Sequence, residues 1–265
     1  MARIAVAATA PFGADVLERL AREHDVALLL TRPDKPRGRG RKLVPTPAKE
    51  VADRLGIPVQ QPSRLDEDVD IPADTVVVAA YGLLIPEPLL SRALWLNVHP
   101  SLLPRWRGAA PVERSIMAGD RATGVTIHRT VEALDAGPIA AQAVFPIEDD
   151  DDAGVVYARA AELAADLLSG VLAESEPSFL PQPDEGATYA EKIGPADREL
   201  DLSDAEQAVR VVRALSPHIG ARTKLHDRDV IVWRAREEGG EFVPVEVQPA
   251  GKQRMQYEDF VRGLR

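Results

Sequence analysis

The sequence predicts an α/β protein built on a Rossmann-like, mostly parallel sheet, followed by a small α+β segment at the C-terminus. Three observations carry that expectation. Apolar, β-branched runs alternate with segments of helical period, the pattern of successive βαβ units. After Glu174 the texture changes to Pro, Gly and charge with no sustained period, which marks a boundary. A length of 265 residues suits one large domain plus a smaller one.

Taken in order, "RIAVAAT" reads as a first buried strand and "GADVLERLAREH" as an amphipathic helix with Val16, Leu17 and Leu20 on its apolar face. "DVALLLT" is a second strand that runs into a basic loop. "PAKEVADRLG" is a helix that Pro47 opens and Gly56 stops. "DTVVVAAYG" and "LWLNVHP" read as further strands, and "GAAPVERSIMAGD" as a helix. "TGVTIHRTV" and "PIAAQAVFPI" read as a pair of strands before a long helix, "AGVVYARAAELAADLLSGVLAE". Beyond it, "SDAEQAVRVVRALS" is a helix with Ser203 as candidate N-cap and Glu206 at the capping-box position. The expected division is a main domain over 1–180, a linker over 181–204 and a small domain over 205–265.

Composition narrows the function. Hydrophobic content of 45% and charged content of 28% are those of a globular chain. The absence of cysteine excludes disulfides and thiol catalysis, and leaves zinc only His and carboxylate ligands. No apolar run approaches the roughly 20 residues that span a bilayer, and the N-terminus lacks a signal-peptide core, so a cytoplasmic protein without membrane contact is expected. The net charge is -10, yet "RPDKPRGRGRK" gathers Arg32, Lys35, Arg37, Arg39, Arg41 and Lys42 against one acid, Asp34. Such a loop is either simply solvated or the meeting point for an anionic partner.

The dinucleotide fingerprint, the P-loop and the nucleophile elbow are all missing from the sequence. The acidic run Glu148 to Asp152 suits the N-terminus of the helix that follows better than a metal. His24, His128, His218 and His226 lack metal-ligand spacing and are read as structural or surface residues. His99 stands apart. It follows an apolar strand in "LNVHPSLLPRWRGAAP", at the end of the sheet where ligands bind in open α/β folds. Asn97, two residues earlier, shares its face. An amide and an imidazole facing one way can stabilise a carbonyl oxygen as it becomes an oxyanion, although polar residues at a fraying strand end give the same spacing. Asp135 lies in the turn "EALDAGPI", where Asp also serves ordinary turn chemistry.

Together these elements resemble the folate-dependent formyltransferases. The resemblance rests on "NVHPSLLP" (97–104), "RGAAP" (107–111), "TGVT" (123–126) and "LDAGPI" (134–139), in that order. It extends through "TRPDKPRGRGRKLVPTPAKEVA" (31–52) and "VVVAAYGLLIP" (76–86), and resumes at "VQPAGKQRM" (247–255), closest to the branch of the family that acts on methionyl-tRNA. The resemblance implies the formyltransferase fold and 10-formyltetrahydrofolate as formyl donor, with no metal. It implies transfer to the α-amine of methionine on initiator tRNA, by a protein expected to be a monomer. It also implies roles. Asn97 and His99 donate to the oxyanion, and Asp135 orients His99 and favours its protonated form. Tyr81, Gly82, Leu83 and the run Ser101, Leu102, Leu103, Pro104 form the pterin pocket, largely through backbone groups. Arg37, Arg39, Arg41 and Lys42 meet the phosphates of tRNA.

Two departures stand out. Ala8 occupies the place of the family's usual glycine in its opening turn. The C-terminal domain, an OB-like barrel in the family, is read as reduced: "VIVWRAREEGGEFVPVEVQPAGK" passes from a single strand to the closing element. A small amine acceptor such as a nucleotide-linked amino sugar, and a non-catalytic RNA-binding relative, are the alternatives.

Overall fold

The computed structural model describes residues 1–37 and 40–264, with Arg37 described in its backbone alone. The elements run β1 (Arg3–Ala8), α1 (Pro11–Glu23), β2 (Asp25–Leu30), β3 (Lys35–Arg37), β4 (Lys42–Val44), α2 (Pro47–Leu55), β5 (Val59–Gln60) and β6 (Thr75–Ala79). There follow α3 (Glu87–Leu90), β7 (Leu94–His99), β8 (Arg107–Gly108), α4 (Pro111–Met117), β9 (Ala122–Arg129), β10 (Ile139–Pro146) and α5 (Ala153–Ala173). The last elements are β11 (Tyr189–Ala190), a 3-10 turn (Ala196–Arg198), α6 (Ala205–Leu215), β12 (Ala221–Leu225), β13 (Arg228–Glu238), β14 (Glu241–Pro249), β15 (Met255–Gln256) and α7 (Tyr257–Arg262). No helix among the described residues is long and apolar enough to cross a membrane.

Seven strands form the main sheet in the order β10-β9-β7-β6-β1-β2-β5. The pairs β1–β2, β1–β6, β2–β5 and β6–β7 are parallel, and β9 joins β7 antiparallel. This is the expected Rossmann-like sheet. Its continuously apolar strands follow from burial on both faces: Val76, Val77 and Ala79 of β6 are fully buried. One core cluster gathers Leu30, Val76, Tyr81, Ile85, Leu89 and Trp95. The indole of Trp95 donates from Nε1 to the carbonyl of Leu89 at 2.8 Å, so its one polar group is satisfied inside the core.

Helix boundaries obey local chemistry. Thr46 caps α2 by accepting from Lys49 N, Pro47 takes the first position, and Gly56 closes the helix at φ 70°. The acidic run behaves as a helix start: Asp152 accepts from the backbone N–H of Val155 at 2.9 Å just ahead of α5. Gly13 near the start of α1 has no room for a side chain, because a Cβ there would collide with the carbonyl of Ala79 and press on the Cβ of Ala8.

Contacts divide the chain into two compact units: residues 1–107, 124–144 and 158–188 in one, and residues 108–123, 145–157 and 189–265 in the other. In the second unit β12, β13, β14 and β15 form an antiparallel sheet with a core of Val212, Leu215, Val230, Val232, Val247 and Phe260. Here the structure corrects the sequence reading twice. The stretch expected to hold one strand folds as a long hairpin, β13 paired with β14, turning at Gly239 and Gly240 with φ of 61° and 87°. Paired glycines at positive φ are the residues such a tight turn needs. The cap of α6 is Asp204 rather than Ser203: the Asp204 carboxylate accepts from Gln207 N, while the Ser203 hydroxyl donates to Asp201.

Candidate functional site

The parallel strands β6 and β7 end side by side, with Val78 opposite Asn97. The chain leaves β6 through Ala80 at φ 47° and Gly82 at φ 75°, and leaves β7 through the loop that starts at Pro100. The site lies at these carboxyl ends, as the topology requires.

One carboxylate organises it. Asn97 Nδ2 donates to Asp135 Oδ1 at 3.1 Å, and His99 Nδ1 stands 3.6 Å from Asp135 Oδ2. The three residues singled out in the sequence are thus brought together. Asp135 holds this place from a left-handed backbone, φ 49°. Gly137, two residues on, is forced to be glycine, since a Cβ would collide with the carbonyl of Arg129. On its other side His99 donates from Nε2 to the carbonyl of Trp106 at 2.7 Å.

A fourth member was not foreseen. His128, read from sequence as structural, lies directly across from Asn97 in the β7–β9 ladder. Its Nε2 is 3.0 Å from Asn97 Nδ2, and its Nδ1 is 3.0 Å from the carbonyl of Arg129. The donor roles can be worked out. Asp135 accepts one Asn97 amide hydrogen, which turns the amide nitrogen toward the histidine. The second hydrogen then requires a lone pair on His128 Nε2. The ring proton therefore sits on Nδ1 and goes to Arg129. Burial drives the same outcome, lowering the His128 pKa to about 4 against the pull of the Asp135 carboxylate and with the help of His99. His128 is a neutral ring, and its lone pair completes the grip on Asn97. The signal that could have found it was cross-strand register, which requires knowing that β9 pairs with β7.

The loop after β7 spends its polar backbone on its own shape. Ser101 N donates to His99 O at 2.9 Å, and Thr126 Oγ1 donates to Ser101 O at 2.7 Å. Leu103 N donates to Thr126 Oγ1 at 3.1 Å, and Gln142 Nε2 donates to Leu103 O at 3.0 Å. Gly124 lets this happen, because a Cβ there would strike both Ala143 O and the Leu102 side chain. Ser101 and Leu103 are buried, while Leu102 and Pro104 are half-buried.

Of the other residues read as pterin-binding, Tyr81 has its ring in the core cluster, Gly82 is exposed and Leu83 half-buried. The Tyr81 hydroxyl is buried without a hydrogen-bond partner among the described residues, and desolvation raises its pKa to about 12. It is a protonated donor. The basic loop carries a two-stranded ribbon, with Arg37 paired to Lys42. Arg41 and Lys42 are exposed, Arg41 at φ 47°. Arg39 lies outside the described residues.

Comparison with known proteins gives one answer. The sequence model of the formyl transferase family matches residues 2–172. The methionyl-tRNA formyltransferase of Aromatoleum aromaticum is 43% identical over 255 residues, covering 91% of this chain and 81% of that protein. In fold, the chain superposes on methionyl-tRNA formyltransferase from Clostridium thermocellum with a TM-score of 0.67 at 15% identity, over 94% of this chain and 99% of the other. It superposes equally, at 0.67 and 17% identity, on HypX from Aquifex aeolicus in complex with tetrahydrofolic acid, over 98% of this chain and 47% of that one.

Proposed function

Since this chain belongs to the formyl transferase family, we propose that it transfers a formyl group from 10-formyltetrahydrofolate to the α-amine of methionyl-tRNA, the initiator form, at Asn97, His99 and Asp135. The observation that carries the reading is the shared carboxylate: Asp135 lies 3.1 Å from the Asn97 amide nitrogen and 3.6 Å from His99 Nδ1. An amide and an imidazole fixed by one acid form a preorganised pair of donors for an oxygen that gains charge.

In the resting site these donors already have partners, Trp106 O for His99 Nε2 and His128 Nε2 for one Asn97 hydrogen. The formyl oxygen must exchange with such a partner as the amine attacks its carbon, so the hydrogen bonds tighten where charge develops and not before. Asp135 keeps both donors in register. As the amine adds, its proton must reach the folate nitrogen that leaves, and Asp135 is assigned the ordering of a water that carries it.

The donor-binding assignment rests on the loops after β6 and β7. The self-satisfied run from Ser101 to Pro104 serves as a rigid wall, and the buried hydroxyl of Tyr81 is an unspent donor of the kind a pterin edge accepts. The basic loop with Arg37, Arg39, Arg41 and Lys42 is assigned to tRNA phosphates, because it concentrates positive charge in a chain whose overall net charge is -10. Chemistry and the basic loop's tRNA contact are assigned to residues 1–180, and additional support for acceptor docking to residues 205–265. The test is an acceptor panel with labelled formyl donor: charged initiator tRNA, charged elongator tRNA and nucleotide-linked amino sugars. Label on the initiator tRNA is the expected result, and label on the amino sugars alone would replace the acceptor in this reading.

A further inference from the structure

Gln182 lies in the stretch read from sequence as a linker, 47 residues from Asp135, yet its side chain is bound to the Asp135 turn. Its Nε2 donates to the carbonyl of Asp135 at 2.8 Å and to the carbonyl of Gly137 at 2.7 Å. Its Oε1 accepts twice from Arg107, from Nε at 3.1 Å and from Nη2 at 2.7 Å. Both hydrogens and both lone pairs of the amide are used, and Arg107 is itself buried. Only an amide side chain offers two donors to the turn and two acceptor sites to a guanidinium.

The turn needs such a hold. Asp135 is a non-glycine residue at φ 49°, a conformation that persists only where its surroundings over-determine it. Arg129 N donates to the carbonyl of Pro138 at 2.9 Å, which fixes the far side, and Gln182 fixes the near side. The same stretch also reaches the other partner of His99. Thr188 Oγ1 accepts from Trp106 N at 2.9 Å, and Thr188 O accepts from Arg107 N at 2.9 Å. Residues 182–188 thus hold both neighbours of the His99 ring.

We propose that Gln182, oriented by Arg107, is a positioning residue that fixes the backbone of the Asp135 turn and so aims the Asp135 carboxylate at Asn97 and His99. The inference rests on the formyl-transfer reading for its catalytic consequence, while its geometric content stands alone. Gln182→Glu separates this role from mere support of Arg107, because a carboxylate still accepts from the guanidinium but has no hydrogen for the turn. Gln182→Leu removes both halves.

The experiment measures kcat and KM for Met-tRNA and 10-formyltetrahydrofolate in wild type and both variants, with melting curves and the side-chain amide resonances of Asn97. Both variants are expected to lose about 10- to 100-fold in kcat, the cost of misplacing a catalytic group by an ångström or less, with both KM values within about twofold. The Asn97 amide proton that faces Asp135 is expected to shift in both. A Gln182→Glu protein with wild-type kcat and an unshifted Asn97 amide overturns the proposal, whatever Gln182→Leu does. If only Gln182→Leu folds, wild-type kcat with an unshifted Asn97 amide in that variant still overturns the proposal. Wild type that formylates no acceptor would refute the formyl-transfer reading instead, and the Asn97 shift alone would then decide the clamp.

Discussion

Acid should loosen this protein through His128 before it protonates most carboxylates. The ring is buried, neutral and held by hydrogen bonds that leave no place for a second proton. Its folded pKa is lowered to about 4, with burial the first cause. In the unfolded chain the same ring titrates near 6.5. Between those values the unfolded state binds a proton that the folded state refuses, so stability falls as pH falls from about 6.5 to about 4. Above that window His128 has no effect on the pH dependence, and below it the loss is complete. At 1.36 kcal/mol per pKa unit, the loss reaches about 2 to 3 kcal/mol by pH 4.5. Urea unfolding of wild type and His128→Gln at pH 7.0, 5.5 and 4.5 isolates it, because all other titrating groups are common to both proteins. Gln keeps an acceptor for Asn97 and does not titrate. The wild type should lose about 2 to 3 kcal/mol more than the variant over that range. Identical pH slopes in the two proteins would refute the neutral-ring assignment and with it the tautomer argument for Asn97.

Other outcomes follow from the same geometry. Asn97→Ala and His99→Ala should each lower kcat by roughly 10²- to 10³-fold while the folate co-substrate still binds, and Asp135→Ala should do as much damage because both donors lose their anchor; steady-state kinetics with equilibrium binding checks this. Gly137→Ala should destabilise by about 1 to 3 kcal/mol, the cost of forcing a side chain into occupied space, and should depress kcat because the displaced backbone carries Asp135. Replacing Arg37, Arg39, Arg41 and Lys42 with Ser should raise KM for tRNA and flatten its salt dependence, each lost phosphate contact reducing the slope of log K against log salt by about 0.7 to 0.9. A four-fold variant with wild-type KM at every salt concentration would reduce the basic ribbon to a solvated surface.

Much of this architecture was legible because strands buried on both faces must be apolar throughout. The runs Arg3–Ala8, Asp25–Leu30 and Thr75–Ala79 announce themselves, and the helix that starts at Pro47 and ends at Gly56 carries its punctuation in its own residues. That Asn97 and His99 share a face was legible for a related reason, since period two on a strand sets it, but their joint role with Asp135 came from the resemblance to the formyltransferases. What the sequence hid depends on partners far along the chain. His128 joins the site only through the Asn97–His128 register, and Gln182 only through hydrogen bonds to residues 45 to 75 positions away. No local period encodes either contact. The Lys35–Val44 ribbon was hidden differently: Pro, Gly and charge dominate that stretch, so composition argued for loop where backbone pairing makes strand. In the β13–β14 hairpin a strand was read, but the partner beyond Gly239 and Gly240 was not.

Formyl transfer to the amine of methionine on tRNA is the reaction proposed for Asn97, His99 and Asp135. Its most direct test is a mass measurement of the amino acid released from charged initiator tRNA after incubation with 10-formyltetrahydrofolate and either wild type or His99→Ala. Methionine heavier by one formyl group is expected with wild type, and a yield reduced by roughly 10²- to 10³-fold at early times with the variant. Unmodified methionine in the wild-type reaction, or equal formylation by both proteins, would contradict it.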